Sequence, residues 1–225
     1  MADPNAGSSF REMTLVAFVD ALASAAPVPG GGSASAVAAS FGAGLVAMVA
    51  SLSEGRPKYA AHADLHERSQ AVGRRLAARF LHLADEDADA YADFAAAMKL
   101  PRETDEERAT RKVALSVAAK RAAEVPMLTV EACLELVATA ESLVGRSNVN
   151  ASSDLDVATL LGAAAANGAA ANVLINLPSV DDDSFSGEAT AKVMSLLDSI
   201  EEIVATVHAG VRGGETREPL ESVPE

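Results

Sequence analysis

Between Tyr59 and Lys99 the chain keeps a helical repeat of apolar residues without meeting a proline. At about 1.5 Å per residue this is a rod of roughly 60 Å, unless it bends near Gly73. Helical spacing runs through most of the remaining sequence, and strand-like alternation is almost absent. Helices are predicted at about Thr14 to Ala25, stopped by Pro27 and Pro29, and from an N-cap at Ser33 to about Leu52, before Gly55 and Pro57. A capping box of Thr104 with Glu107 opens a helix that ends before Pro126. Another starts with Pro126 in its first turn and stops at Gly145. Ser153 caps one that runs through Asn176, and the last spans about Gly187 to Val211. Residues 1–9 and 214–225 have little to bury and are expected to be disordered.

Hydrophobic residues make up 49% of the chain and tryptophan is absent, so Ala, Leu and Val must fill the core. Gly42, Gly44, Gly162 and Gly168 sit inside predicted helices, where they are poor choices by propensity but reasonable wherever two backbones pack closely. The expected fold is an all-α bundle with long helices, formed as a single domain over residues 1–225.

A formal charge of −14 argues against nucleic acid or an anionic membrane as the main partner. The single cysteine, Cys133, cannot form an internal disulfide and fits a reducing, cytoplasmic setting. No Cys/His metal spacing appears, so no metal is expected, and His62, His66 and His82 read as surface residues. Asp20 interrupts the apolar stretch of "LVAFVDALASAAP", which therefore does not read as an export signal. "SASAVAASFGAGLVAMVASL" has the length to span a bilayer, but its apolarity comes mostly from Ala, Gly and Ser. It reads as a helix at the centre of a soluble bundle.

Three features break the pattern. Phe80, Ala84, Asp87, Tyr91, Phe94 and Met98 fall on one helix face, which places a single carboxylate in an apolar stripe. Such a group must be paired, bonded to donors or protonated. Arg108 or Arg111 of a neighbouring helix could pair with it, or it is a prepared general acid or base. Asp85, Asp89 and Asp93 repeat on the opposite, solvated side. Asp154, Ala158, Leu161, Ala165, Gly168, Asn172 and Asn176 form a strip of small residues and amides that either receives another helix or lines a cavity. In "PVPGGGSASA", three consecutive glycines precede Ser33 with no strand before them, which excludes a dinucleotide fingerprint. They make either a tight turn or a bare helix start whose N–H groups receive a polar ligand.

The order of motifs resembles the cyclodeaminase/cyclohydrolase family of folate metabolism. The resemblance rests on "PVPGGGSASA", "DADAY", "KLPRETDEERATR", "AAEVP", "NVNASSDLDVA" and "GAAANVLINL", and it covers roughly residues 14 to 208. It implies an all-helical homodimer whose pocket binds a tetrahydrofolate derivative as substrate, with no tightly bound cofactor. Carried over position by position, it implies Asp87 and Asp154 as catalytic candidates. Gly30, Gly31, Gly32, Ser33, Tyr91, Lys99, Arg111, Asn148, Asn150, Ser153 and Asn172 become substrate-binding candidates, the bare glycines lying against the flat pterin or its neighbouring ring. Family members hydrolyse 5,10-methenyltetrahydrofolate to the 10-formyl compound or cyclise 5-formiminotetrahydrofolate with loss of ammonia. A free-standing chain without a transferase half points to the cyclohydrolase, with the cyclodeaminase, or a folate-binding dimer without catalysis, as the alternatives.

Overall fold

The structure, a computed structural model, describes residues 9–220. Six α-helices carry the fold: α1 Leu15–Leu22, α2 Gly31–Ser53, α3 Ala63–Met98, α4 Asp105–Leu143, α5 Ser152–Asn176 and α6 Asp183–Gly213. Short 3-10 turns lead into α3 at Pro57–His62 and into α5 at Val149–Ala151. There is no strand among the described residues.

Small residues let α2 sit at the centre. A Cβ on Gly73 of α3 would lie 2.8 Å from the carbonyl oxygen of Ala43, and one on Gly42 would lie 2.8 Å from that of Ala158 on α5. Both glycines are therefore explained by backbone approach, and Gly73 marks a helix crossing. Such contact forgoes the area of a large side chain but gains close-packed dispersion over the length of the helix. α2 runs antiparallel to both neighbours. Its N-terminal Ser33 donates to the carbonyl of Ala84 in α3, whereas its C-terminal Ser53 accepts from the backbone N–H of Asn148, just before α5. α4 covers α3 and α5 from the other side, with Phe80, Leu83, Leu136, Val137 and Leu155 fully buried in the shared core, and α6 lies on α4 and α5.

Two of the expected helices are one. α4 passes through Pro126 without ending, and residues 105–143 form a single element. A proline inside a helix removes the N–H that would bond four residues back. The carbonyl so released belongs to Ala122, and the side-chain amide of Asn176 donates to it at 2.9 Å. A tertiary partner thus replaces the missing backbone bond.

The predicted cap of α2 also shifts. Gly30 is the N-cap, and Ser33 lies inside the first turn, fully buried. Beyond α6 the chain is held rather than free: the backbone N–H of Arg217 donates to Gly145, Arg146 donates to the carbonyl of Glu218, and Arg217 pairs with Glu141. Residues 214–218 thus depart from the expected disorder because Arg217 carries them back to the end of α4, while 1–8 and 221–225 lie outside the described residues. His66 is buried, not on the surface, because its Nε2 donates to the Arg146 carbonyl at 2.9 Å. Asp85 accepts from the backbone N–H of Phe10 at 2.6 Å, and Asp93 pairs with Arg121, so neither is merely solvated.

Candidate active site

α2 and α3 place Asp87 against the start of α2. Ser33 Oγ lies 2.9 Å from Asp87 Oδ2, and the Ser33 backbone N–H also bonds this carboxylate. Asp87 therefore occupies the position of an N-cap delivered from another helix, where the partial positive charge of α2 favours it. Burial nonetheless dominates and raises its pKa, opposed by the Ser33 bonds. No cation pairs with it among the described residues. Arg108 pairs with Asp105, and Arg111 donates to the Met98 carbonyl at the end of α3, so neither expected partner reaches it.

The glycine run follows from this geometry. A Cβ on Gly32 would lie 2.2 Å from Asp87 Oδ1 and 2.6 Å from Cγ. Gly32 is bare so that the carboxylate can rest on the helix start, which differs from the expected contact with a ligand ring. Gly31 faces Asn172, whose Nδ2 would lie 3.4 Å from an added Cβ.

Asp87, Gly30, Gly31, Gly32, Tyr91 and Asn172 converge on one cavity of about 300 Å³, walled further by Pro27, Val28, Phe94, Ala122, Ile175 and Asn176. Asn172 Nδ2 donates to Gly168, while Asn176 Nδ2 donates to Asn172 and Ala122. Asn176 thus has both N–H groups spent on backbone and only Oδ1 left to accept from a ligand, whereas Asn172 keeps one N–H as well as its Oδ1. Asn176 was not among the candidates read from the sequence. Its signal was present, one helical turn beyond Asn172 on the same strip. The strip itself serves both expected purposes, since Ala158 and Gly168 receive α2 and the two amides line the cavity.

The other candidates lie elsewhere. Asn148, Asn150, Ser153 and Asp154 stand at the opposite end of α5, with Asp154 separated from Asn172 by about 27 Å of helix. Asn148 is buried, and its Oδ1 accepts from the Asn150 backbone at 3.2 Å. Nearby, Tyr59, His62, Ser147 and Ser152 line a second, smaller cavity of about 150 Å³. Lys99 is exposed at the C-terminus of α3, about 18 Å along that helix from Asp87. Within this chain, then, the expected site is divided between two ends of the bundle.

The profile described as formiminotransferase-cyclodeaminase matches residues 14–195 of this chain. The chain belongs to that family. A methenyltetrahydrofolate cyclohydrolase from Methylorubrum extorquens is 38% identical over 188 residues, covering 82% of this chain and 88% of that protein. The formimidoyltransferase-cyclodeaminase of Gallus gallus is 34% identical over 87% of this chain, which spans 36% of that longer protein. The crystal structure of a formiminotetrahydrofolate cyclodeaminase from Thermotoga maritima superposes with a TM-score of 0.82 at 27% identity, covering 90% of this chain and 98% of its own. For a formiminotransferase-cyclodeaminase family member, an unpaired carboxylate whose pKa burial raises, at a cavity edge, is equipped to accept and return one proton.

Proposed function

We propose that this chain is a methenyltetrahydrofolate cyclohydrolase acting as a homodimer. The observation that carries the reading is Asp87, half-buried without a cation and bonded only through Ser33 beside a cavity of about 300 Å³. The likeness to the Methylorubrum extorquens cyclohydrolase over most of both chains supports it. In the reaction, water adds to the methenyl carbon of the cationic substrate as Asp87 accepts its proton. The tetrahedral carbon then releases N5, which takes the proton back from Asp87, and 10-formyltetrahydrofolate and one proton are the net products. The carboxylate also offsets the positive charge of the bound amidinium. The amidinium carbon is already electrophilic, so the reaction needs no resident cofactor. Asn172 and Asn176 offer acceptors to the donor groups of the pterin.

The cyclodeaminase reaction uses the same proton transfer, with N10 attacking in place of water, and the Thermotoga maritima structure favours it as the second reading. Following the methenyl chromophore separates the two. Purified protein is expected to accelerate its loss from 5,10-methenyltetrahydrofolate, and Asp87→Asn is expected not to. Ammonia release and a rising methenyl signal from 5-formiminotetrahydrofolate, without accelerated hydrolysis, would replace the first reading by the second.

A further inference from the structure

α2 has five serines, and four of them bond back into their own helix. Ser35, Ser40, Ser51 and Ser53 donate to the carbonyls of Gly31, Val37, Ala47 and Val49. Such bonds let a serine sit in a helix among apolar neighbours at little cost. Ser33 alone reaches another helix. Its Oγ lies 3.1 Å from the Ala84 carbonyl and 2.9 Å from Asp87 Oδ2, both on α3 and about one turn apart, and the residue is fully buried. The packing of α2 on α3 does not need this hydroxyl. The Ala84 carbonyl lies inside α3 and already accepts from the backbone one turn on, so alanine at position 33 would leave no orphaned backbone group. What the hydroxyl adds is a grip on one oxygen of Asp87. The other, Oδ1, accepts from no side chain among the described residues and is open to the cavity.

We propose that Ser33 is a positioning residue for the reaction: its hydroxyl holds Asp87 Oδ2 and reserves Oδ1 for the proton that passes to and from the substrate. A hydroxyl has one hydrogen, and here two oxygens of α3 compete for it. While Asp87 is charged the carboxylate takes it, because a bond to an ionised acceptor is about twice as strong as a neutral one. Once Oδ1 carries the proton, Oδ2 is an ordinary carbonyl oxygen and the Ala84 carbonyl is an equal alternative. The hydrogen follows the charge while every heavy atom stays in place, which suits a group that takes up and returns a proton in one turnover. The grip also opposes burial. Burial pushes the pKa of Asp87 up, and the Ser33 bonds pull it back toward the ionised form that a base needs. Among the cavity-lining residues no charged group faces the carboxylate from α2, α4 or α5, and Tyr91, on its own helix, is the other titratable group. Ser33 thus serves where a cation would otherwise stand. This role rests on the proton transfer proposed above and replaces the expected contact of Ser33 with the substrate.

Ser33→Ala and Ser33→Cys test this, the second keeping a side chain of the same shape with a weaker donor. With 5,10-methenyltetrahydrofolate, Ser33→Ala is expected to lose about 10–10²-fold in kcat while KM stays within about twofold of wild type, and Ser33→Cys to lose less. The acid limb of kcat/KM should move to higher pH in both. A carboxylate without its donor holds its proton more tightly, and while protonated it is idle as a base. A raised KM at unchanged kcat would overturn the role and leave Ser33 as a substrate contact. Wild-type kcat with an unmoved limb would overturn it too. A readout without substrate separates this role from the choice of reaction. The side-chain carboxyl of Asp87 is followed by NMR in protein made with isotope-labelled aspartate, its signal identified by its absence from Asp87→Asn. Its titration midpoint is expected to rise in Ser33→Ala. That rise supports the role even if the substrate proves to be the formimino compound, and an unmoved midpoint overturns it whichever reaction the protein performs.

Discussion

Replacing Gly32 by alanine puts a methyl group 2.2 Å from one carboxylate oxygen of Asp87 and 2.7 Å from the other. Ordinary contact needs more than 3 Å, so the carboxylate must retreat by about 1 Å. The Ser33 Oγ bond, 2.9 Å long, then stretches beyond hydrogen-bonding range. A displacement of that size at a reacting group costs about 10² in rate. Stability responds differently. Crowding costs about 1–3 kcal/mol, but alanine is about 1 kcal/mol better than glycine in a helix, and Asp87 can yield towards the open cavity. We expect kcat for methenyl hydrolysis to fall about 10²-fold while urea denaturation shows a loss of no more than about 2 kcal/mol. Removing the obstructing group reverses the sign: Gly32→Ala added to Asp87→Ala should stabilise by about 1 kcal/mol, because only the helix term remains. A Gly32→Ala enzyme with wild-type turnover would refute the claim that this glycine exists to seat the carboxylate.

Asp87→Asn should lower kcat by about 10²–10⁴ and also change how stability depends on pH. A raised native pKa means that the folded protein keeps a proton the unfolded chain releases. Wild-type stability therefore falls as pH climbs from the ordinary carboxylate value through the raised one, and the asparagine variant should lack that slope in thermal melts. Pro126→Ala restores the N–H that competes for the Ala122 carbonyl, so helix α4 should gain about 1 kcal/mol net of the lost ring contacts while Asn176 is released. The expected result is a higher Tm with a raised KM, and an unchanged KM would separate Asn176 from substrate binding. Gly73→Ala, facing backbone atoms of Ala43 and Ala47 at 2.8 Å, should cost about 1–3 kcal/mol by denaturant titration with little change in KM. Burial pushes the Cys133 thiol up to about 12, so a thiol reagent should label it only after unfolding.

The long helices were legible because periodicity reports them directly, and Asp87 stood out because a carboxylate interrupts one periodic face. Pro126 misled for a definite reason: local rules end a helix at proline, and the group that replaces its hydrogen bond comes from Asn176, on a different helix. Ser33 looked like a cap because serine usually is one, whereas here the capping oxygen belongs to Asp87 and the hydroxyl is spent on that carboxylate and on the Ala84 carbonyl. The motif around Ser153 and Asp154 was visible in the sequence, but its place was not, since only the antiparallel packing of α2 on α5 sets it at the far end from Asp87.

The central place of α2 also sets a problem during synthesis. It is complete at Ser53, whereas α5, which packs along its whole length, begins at Ser152. At about 5–20 residues per second, roughly 5–20 s pass between the two. For that interval a nascent chain carries an uncharged, bilayer-length helix with only α3, and later part of α4, available to cover it. Its Ala, Gly and Ser content, which lets two backbones approach it in the finished protein, also keeps it a poor substrate for membrane insertion while it waits.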